Sequence, residues 1–115
     1  VVIAISASGS TPFTVAAVKE SKKNGALTIG ISNNQNTLLR ENVDISINLL
    51  TGAEAVAGST RLKAGTAQKI CLNTISTFVM AKFGRVKNGR MLNLIPMNKK
   101  LRERLKLINS FSDNI

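Results

Sequence analysis

The sequence predicts an α/β domain in which a parallel sheet lies between layers of helix, a three-layer α-β-α arrangement. Three observations lead there. Short Val/Ile-rich runs recur without the alternation of a half-exposed strand. A helix-type segment with a good start and a good stop follows the first of them. The two kinds of segment then alternate as β-α-β-α-β through Leu49, and such runs build parallel sheets with right-handed crossovers.

The elements follow in order. Val1-Val2-Ile3-Ala4-Ile5 reads as a strand covered on both faces. After the loop from Ser6 to Thr11, Thr11 suits a helix N-cap and Pro12 the first helical position, while Gly25 behind Lys22-Lys23-Asn24 suits a C-terminal stop. Residues 12–24 are therefore predicted helical. Ala26 to Ser32 is a second buried strand, followed by the polar loop Asn33-Asn34-Gln35-Asn36, a helical turn from Thr37, and a third strand near Asp44 to Leu49. Thr51-Gly52 breaks this pattern.

From about Ser59 a long helix is expected, with apolar positions at Leu62, Ala67, Cys71, Ile75, Phe78 and Val79, ending at Gly84. A basic link containing Gly89 leads to Met91–Ile95, read as a short strand or an extended arm. Asn98 is placed to cap a last helix with the stripe Leu101, Leu105 and Ile108, its other faces carrying Lys99, Lys100, Arg102, Arg104 and Lys106. The expected organisation is one α/β domain over residues 1–95 and a basic amphipathic helix over 96–115.

Composition narrows the chemistry. With 115 residues the chain holds one small domain, and with no His it holds no His-based triad. The lone Cys71 excludes an internal disulfide and a multi-cysteine metal site, in keeping with a reducing, cytoplasmic setting. The five-residue apolar start is neither a signal peptide nor a membrane span, so no membrane association is expected. A chain that begins inside an apolar strand and without Met reads as part of a longer protein. The net charge of +10 is uneven, with +7 from Lys82 onward. Four Phe are the only aromatics, too few for a base-stacking platform, so no nucleic-acid partner is expected.

The strongest local signal is Ser6-x-Ser8-Gly9-x-Thr11-Pro12, where a strand stops and a helix starts. Ligands of open α/β sheets bind beyond the carboxyl ends of the strands, and a helix N-terminus offers N–H groups to an anion. Ser6, Ser8, Ser10 and Thr11 add hydroxyl donors and Gly9 a close backbone approach. The same residues equally describe a tight turn with an N-cap. The loop has neither the closing Gly-Lys-Ser/Thr of a P-loop nor the glycine spacing of a dinucleotide site, which favours a small phosphorylated molecule over a nucleotide.

Beyond the third strand, Glu54 is placed either to meet sugar hydroxyls and move a proton or to sit at a helix start. Ser59 and Thr60 fit N-caps, while Arg61 and Lys63 fit a phosphate or a partner subunit. Lys69, Asn73 and the stripe through Cys71 read as structural, with Cys71 an inert buried thiol.

Ser-x-Ser-Gly-x-Thr at this junction resembles the second phosphate loop of the sugar isomerase (SIS) domain, a flavodoxin-like doubly wound fold of which this chain would be a part. Gly52 to Lys69, eighteen residues, is similar to a signature shared by the N-acetylmuramic acid 6-phosphate etherases and the glucokinase regulatory protein. Asn73 and Asn98-Lys99-Lys100-Leu101-Arg102-Glu103-Arg104 also resemble the etherases. The sequence departs from that pattern at Ala53, Ser10 and Asn93, where Pro, Arg and Asp are usual.

The resemblance implies a carbon–oxygen lyase of cell-wall sugar recycling. Its reaction is cleavage of the D-lactyl ether of N-acetylmuramic acid 6-phosphate to N-acetylglucosamine 6-phosphate and D-lactate, by elimination and water addition without metal or cofactor. It implies a homodimer and a phosphorylated amino sugar as ligand, bound here by Ser6, Ser8, Gly9, Ser10, Thr11, Glu54, Ser59, Arg61 and Lys63. The family's acid/base carboxylates lie in motifs that precede Val1, leaving Glu54 as the one candidate within these residues. A non-catalytic phosphosugar sensor and a sugar-phosphate isomerase are the alternatives of the same superfamily.

Overall fold

A computed structural model describes residues 1–110. The last residues of the predicted 96–115 helix, 111–115, lie outside the described residues. The chain divides into two compact units, one Val1–Leu72 and the other beginning at Asn73.

The first unit carries a three-stranded parallel sheet in the order β1-β2-β3, formed by β1 (Val2–Ile5), β2 (Thr28–Ser32) and β3 (Ile45–Asn48). Ala4 pairs with Gly30 and Gly30 with Ser46, so these three point to one face. The same face receives α1 (Pro12–Lys23) and α2 (Leu38–Asn42). Ala4, Val18 of α1 and Leu39 of α2 form the core cluster, with Val43 packed beside it. Gly30 permits that approach, because a Cβ there would stand 2.9 Å from Val43 and 3.0 Å from Leu39. A side chain at this position would force the Val43 and Leu39 side chains to shift.

Helix α1 begins at Pro12, and its last turn carries Lys22 and Lys23 in line with the helix dipole. Gly25 stops it at φ +73°, donating its N–H to the Lys22 carbonyl at 2.9 Å. Lys22 also reaches Asp44 at the start of β3, 2.9 Å away, while Thr28 donates both its N–H (2.8 Å) and its hydroxyl (2.7 Å) to the same carboxylate. These contacts hold the Asp44 carboxyl well below the usual range, at about 2, chiefly through the Lys22 and then the Thr28 hydrogen bonds.

The expectation of strands covered on both faces needs correction for β1. Ile3 and Ile5 point away from α1 and α2 and are 39% and 38% exposed, while Ile31 on the same side is fully buried. Both of the short crossover helices lie on one face, so they shield only alternate strand residues.

Helix α3 (Lys63–Lys82) starts four residues later than expected from Ser59. Residues 53–62 form bends and turns instead, including Ser59 N–H donating to the Val56 carbonyl at 3.0 Å. Within the first unit its opening turns bury Ala64 and half-bury Cys71, which is less enclosed than expected. In the second unit α3 ends with Gly84 at φ +69°, and Arg85 N–H donates to the Met80 carbonyl at 2.9 Å.

The basic link is an antiparallel hairpin, β4 (Val86–Lys87) with β5 (Arg90–Met91). Asn88 and Gly89 lie at its tip with φ of 51° and 72°, the two positive values that a type I′ turn requires. The expected strand or arm at Met91–Ile95 is thus the second hairpin strand plus extended chain. Helix α4 (Lys99–Ser110) is capped as expected, the Asn98 side-chain oxygen accepting from Leu101 N–H at 2.9 Å. Leu101, Leu105 and Ile108 are its half-buried positions.

Candidate functional site

The loop from Ser6 to Thr11 leaves the carboxyl end of β1 and enters α1. Ser6 N–H still follows the ladder, donating to the Ile31 carbonyl at 3.0 Å, and the chain then turns back as Gly9 N–H bonds to the Ser6 carbonyl at 3.0 Å. Gly9 is buried at φ +66°, and a Cβ there would lie 2.4 Å from Cβ of Thr37. Leu39 N–H donates to the Gly9 carbonyl at 2.9 Å, so the start of α2 braces the turn. Thr37 is itself fixed, accepting Arg40 N–H on its hydroxyl at 3.2 Å.

Three hydroxyls meet inside the loop. Ser6 Oγ is 2.9 Å from Thr11 Oγ1 and 3.3 Å from Ser8 Oγ, and it accepts Gly9 N–H at 3.0 Å. A hydroxyl has one hydrogen and two lone pairs. With Gly9 on one lone pair, Ser6 takes one neighbour as donor and gives its own hydrogen to the other. Ser6, only 7% exposed, is therefore saturated and acts as the organiser. One hydroxyl hydrogen of the three remains unused, on Ser8 or on Thr11, and both of these residues are exposed.

Thr11 occupies the N-cap position of α1 with extended backbone but makes no side-chain cap bond. The simple N-cap of the sequence reading is thus corrected: the Thr11 hydroxyl turns to Ser6 instead. Pro12 has no N–H, and the N–H groups of Phe13 and Thr14 in the first turn have no acceptor among the described residues. Open amides at a helix start together with a spare hydroxyl hydrogen form an arrangement able to hold an anion.

The other expected site residues gather at the start of α3. Glu54 accepts Lys63 N–H on one carboxylate oxygen at 3.0 Å and Ala64 N–H on the other at 2.9 Å. These bonds, Ala64 first, hold its carboxyl below the usual range. A carboxylate so engaged is a helix cap and a poor proton donor near neutral pH. Lys63 directs its ammonium to the Ala53 carbonyl at 2.6 Å, and Arg61 is exposed. Ser59 is half-buried in the turn after Val56.

Sequence reasoning passed over Asn33 as ordinary loop. Its N–H donates to the Ala7 carbonyl at 3.0 Å, its amide nitrogen to the Leu49 carbonyl at 3.0 Å, and its amide oxygen accepts from Gln68 at 2.7 Å. The available signal was its place directly after β2, at the carboxyl end of the sheet. In the second unit a groove of about 480 Å³ is lined by Ser76, Thr77, Met80, Arg85, Met91 and Asn93 among others. None of the expected site residues lines it.

A parallel sheet with a polar loop at the carboxyl end of its first strand places the first unit among the open parallel-sheet α/β domains. The model of the SIS domain matches residues 1–77, and the chain belongs to the SIS-domain family. Among curated relatives it is 55% identical over 104 residues to the N-acetylmuramic acid 6-phosphate etherase of Clostridium acetobutylicum, a stretch that is 90% of this chain and 34% of that protein. The etherase of Caldanaerobacter subterraneus is 52% identical over 103 residues, 90% of this chain and 34% of its own. The Bacillus subtilis etherase is 45% identical over 113 residues, 97% of this chain and 37% of its own. The chain therefore spans about a third of the length of the curated relatives it matches.

Proposed function

We propose that this chain is the phosphosugar-binding portion of an N-acetylmuramic acid 6-phosphate etherase. The observation that carries this reading is identity of 55% and 52% with proteins of that name over 90% of the chain. The substrate would be a phosphorylated amino sugar whose phosphate sits in the loop Ser6–Thr11. Open N–H groups at α1, the spare hydroxyl hydrogen and the exposed Ser10 hydroxyl support that placement.

In this proposal the loop binds and orients, and the acid and base that cleave the D-lactyl ether lie elsewhere in the complete polypeptide. Glu54 supports that division, because both of its oxygens already accept backbone N–H groups. Its role would be to hold the start of α3, with Ser59, Arg61 and Lys63 nearby for the sugar or a partner subunit. Residues 1–95 would form the binding domain, with the basic helix α4 separate from it. A homodimer fits the exposed apolar side chains of α3, with Ile70 61%, Phe78 68% and Val79 46% exposed, and its setting would be the cytoplasm. No helix among the described residues is long and apolar enough to cross a membrane.

The test is D-lactate release from N-acetylmuramic acid 6-phosphate by the complete polypeptide. Release without added metal or cofactor is expected. Binding of the phosphosugar without any release would favour the sensor alternative, and interconversion of sugar phosphates the isomerase.

A further inference from the structure

We infer that Asn33 is a positioning residue that sets the phosphosugar affinity of the Ser6–Thr11 loop by tying it to α3. The inference rests on the reading of that loop as the phosphate site. Asn33 touches three segments distant in sequence, each through a different group. Its backbone N–H holds the Ala7 carbonyl in the loop, its amide nitrogen holds the Leu49 carbonyl just after β3, and its amide oxygen takes the Gln68 amide of α3. The Gln68 bond, at 2.7 Å, is the shortest of the three.

The Ala7 bond has a directional consequence. Asn34 also donates its side-chain amide to that carbonyl, at 3.2 Å, so two donors fix one oxygen. The peptide unit joining Ala7 and Ser8 is planar and trans, so its N–H points opposite to its C=O. With the carbonyl held against Asn33 and Asn34, the Ser8 N–H is turned to the other side, and it has no acceptor among the described residues. That leaves a fixed N–H donor beside the Ser8 hydroxyl.

Gln68 then decides how firmly Asn33 can hold its place. Asn33 is half-buried, and its amide oxygen has Gln68 as its partner. Without Gln68 the amide is free to rotate away from the Leu49 carbonyl, and the Asn33 backbone is held by the Ala7 bond alone. Loop geometry and α3 are therefore linked through one side-chain pair, although no site residue expected from the sequence takes part in it.

The experiment uses the complete polypeptide and calorimetric titration with N-acetylglucosamine 6-phosphate, with melting temperature recorded for each variant. Asn33→Ala and Gln68→Ala are each expected to weaken binding about tenfold, the equivalent of one part-buried hydrogen bond. The double variant should be no weaker than Asn33→Ala, because both act through one pair. The reciprocal variant Asn33→Gln with Gln68→Asn keeps an amide pair of the same total length and should regain most of the lost affinity. Ser8→Ala/Thr11→Ala serves as the reference for the loop itself. If that reference variant binds weakly while Asn33→Ala and Gln68→Ala bind within twofold of the parent, the inference is overturned and the loop reading stands. If the reference variant binds as the parent does, the loop reading fails and this inference fails with it. A drop in melting temperature with unchanged affinity also overturns it, since a merely structural role predicts that result.

Discussion

Replacing Gly9 with Ala probes the loop at its tightest point. The new Cβ would stand 2.4 Å from Cβ, 2.5 Å from Cγ2 and 2.7 Å from Oγ1 of Thr37. Thr37 cannot swing aside, since it is only 3% exposed and its hydroxyl caps α2 through Arg40 N–H. Two costs add. Holding Ala at a left-handed φ of +66° costs about 1 to 2 kcal/mol, and forcing a methyl into packed surroundings costs about 1 to 3 kcal/mol. The expected destabilisation is about 2 to 5 kcal/mol, read as the change in urea midpoint at unchanged slope. The two costs separate in a Thr37→Gly background, where the clash is gone and only the conformational cost of about 1 to 2 kcal/mol remains. A loss below about 1 kcal/mol, or an equal loss in both backgrounds, would mean that Thr37 does not confine Gly9.

Two further outcomes follow from the carboxylates. Because the Asp44 carboxyl is lowered to about 2 in the folded chain, its contribution to stability is present above its ordinary value of 3.8 and is lost as pH falls through that interval. Melting temperature should therefore fall between about pH 4 and pH 2, and Asp44→Asn should flatten that slope, less so at high salt because the Lys22 pair is partly exposed; an identical slope in both proteins counts against the contact. Glu54→Gln keeps one acceptor oxygen and sets an amide NH₂ against a backbone N–H. Hydrogen exchange at the Lys63 and Ala64 amides should then quicken, and unchanged protection would remove Glu54 as the cap.

The first fifty residues were legible because each boundary there is signalled locally. Thr11-Pro12 opens α1, Asn24-Gly25 closes it, and Thr37 begins α2, each within a residue or two of its observed place. The start of α3 was not legible, because its cap is the Glu54 carboxylate nine and ten residues upstream, outside any local capping pattern. Ser59-Thr60 offered a local pattern that the chain does not use. The hairpin was overlooked because two-residue strands carry no alternation, although Asn88-Gly89 was its signature.

The candidate loop was legible as a segment but not in its inner division of labour. That Ser6 is spent on organising Ser8 and Thr11 depends on hydroxyl distances that no spacing rule supplies. Asn33 escaped notice for a related reason. Its partners Leu49 and Gln68 lie 16 and 35 residues away, and only the folded sheet brings them together.

Whether the Ser6–Thr11 loop holds the phosphate of the sugar is read by calorimetry with N-acetylglucosamine 6-phosphate on the complete polypeptide. The Ser8→Ala/Thr11→Ala variant removes both exposed hydroxyls, one of which carries the spare hydrogen, while leaving the buried Ser6 and the backbone of α1. One hydrogen bond to a charged group is worth about 1.5 to 3 kcal/mol. Dissociation constants should rise about 10- to 150-fold. Affinity within twofold of the parent would contradict that placement of the phosphate.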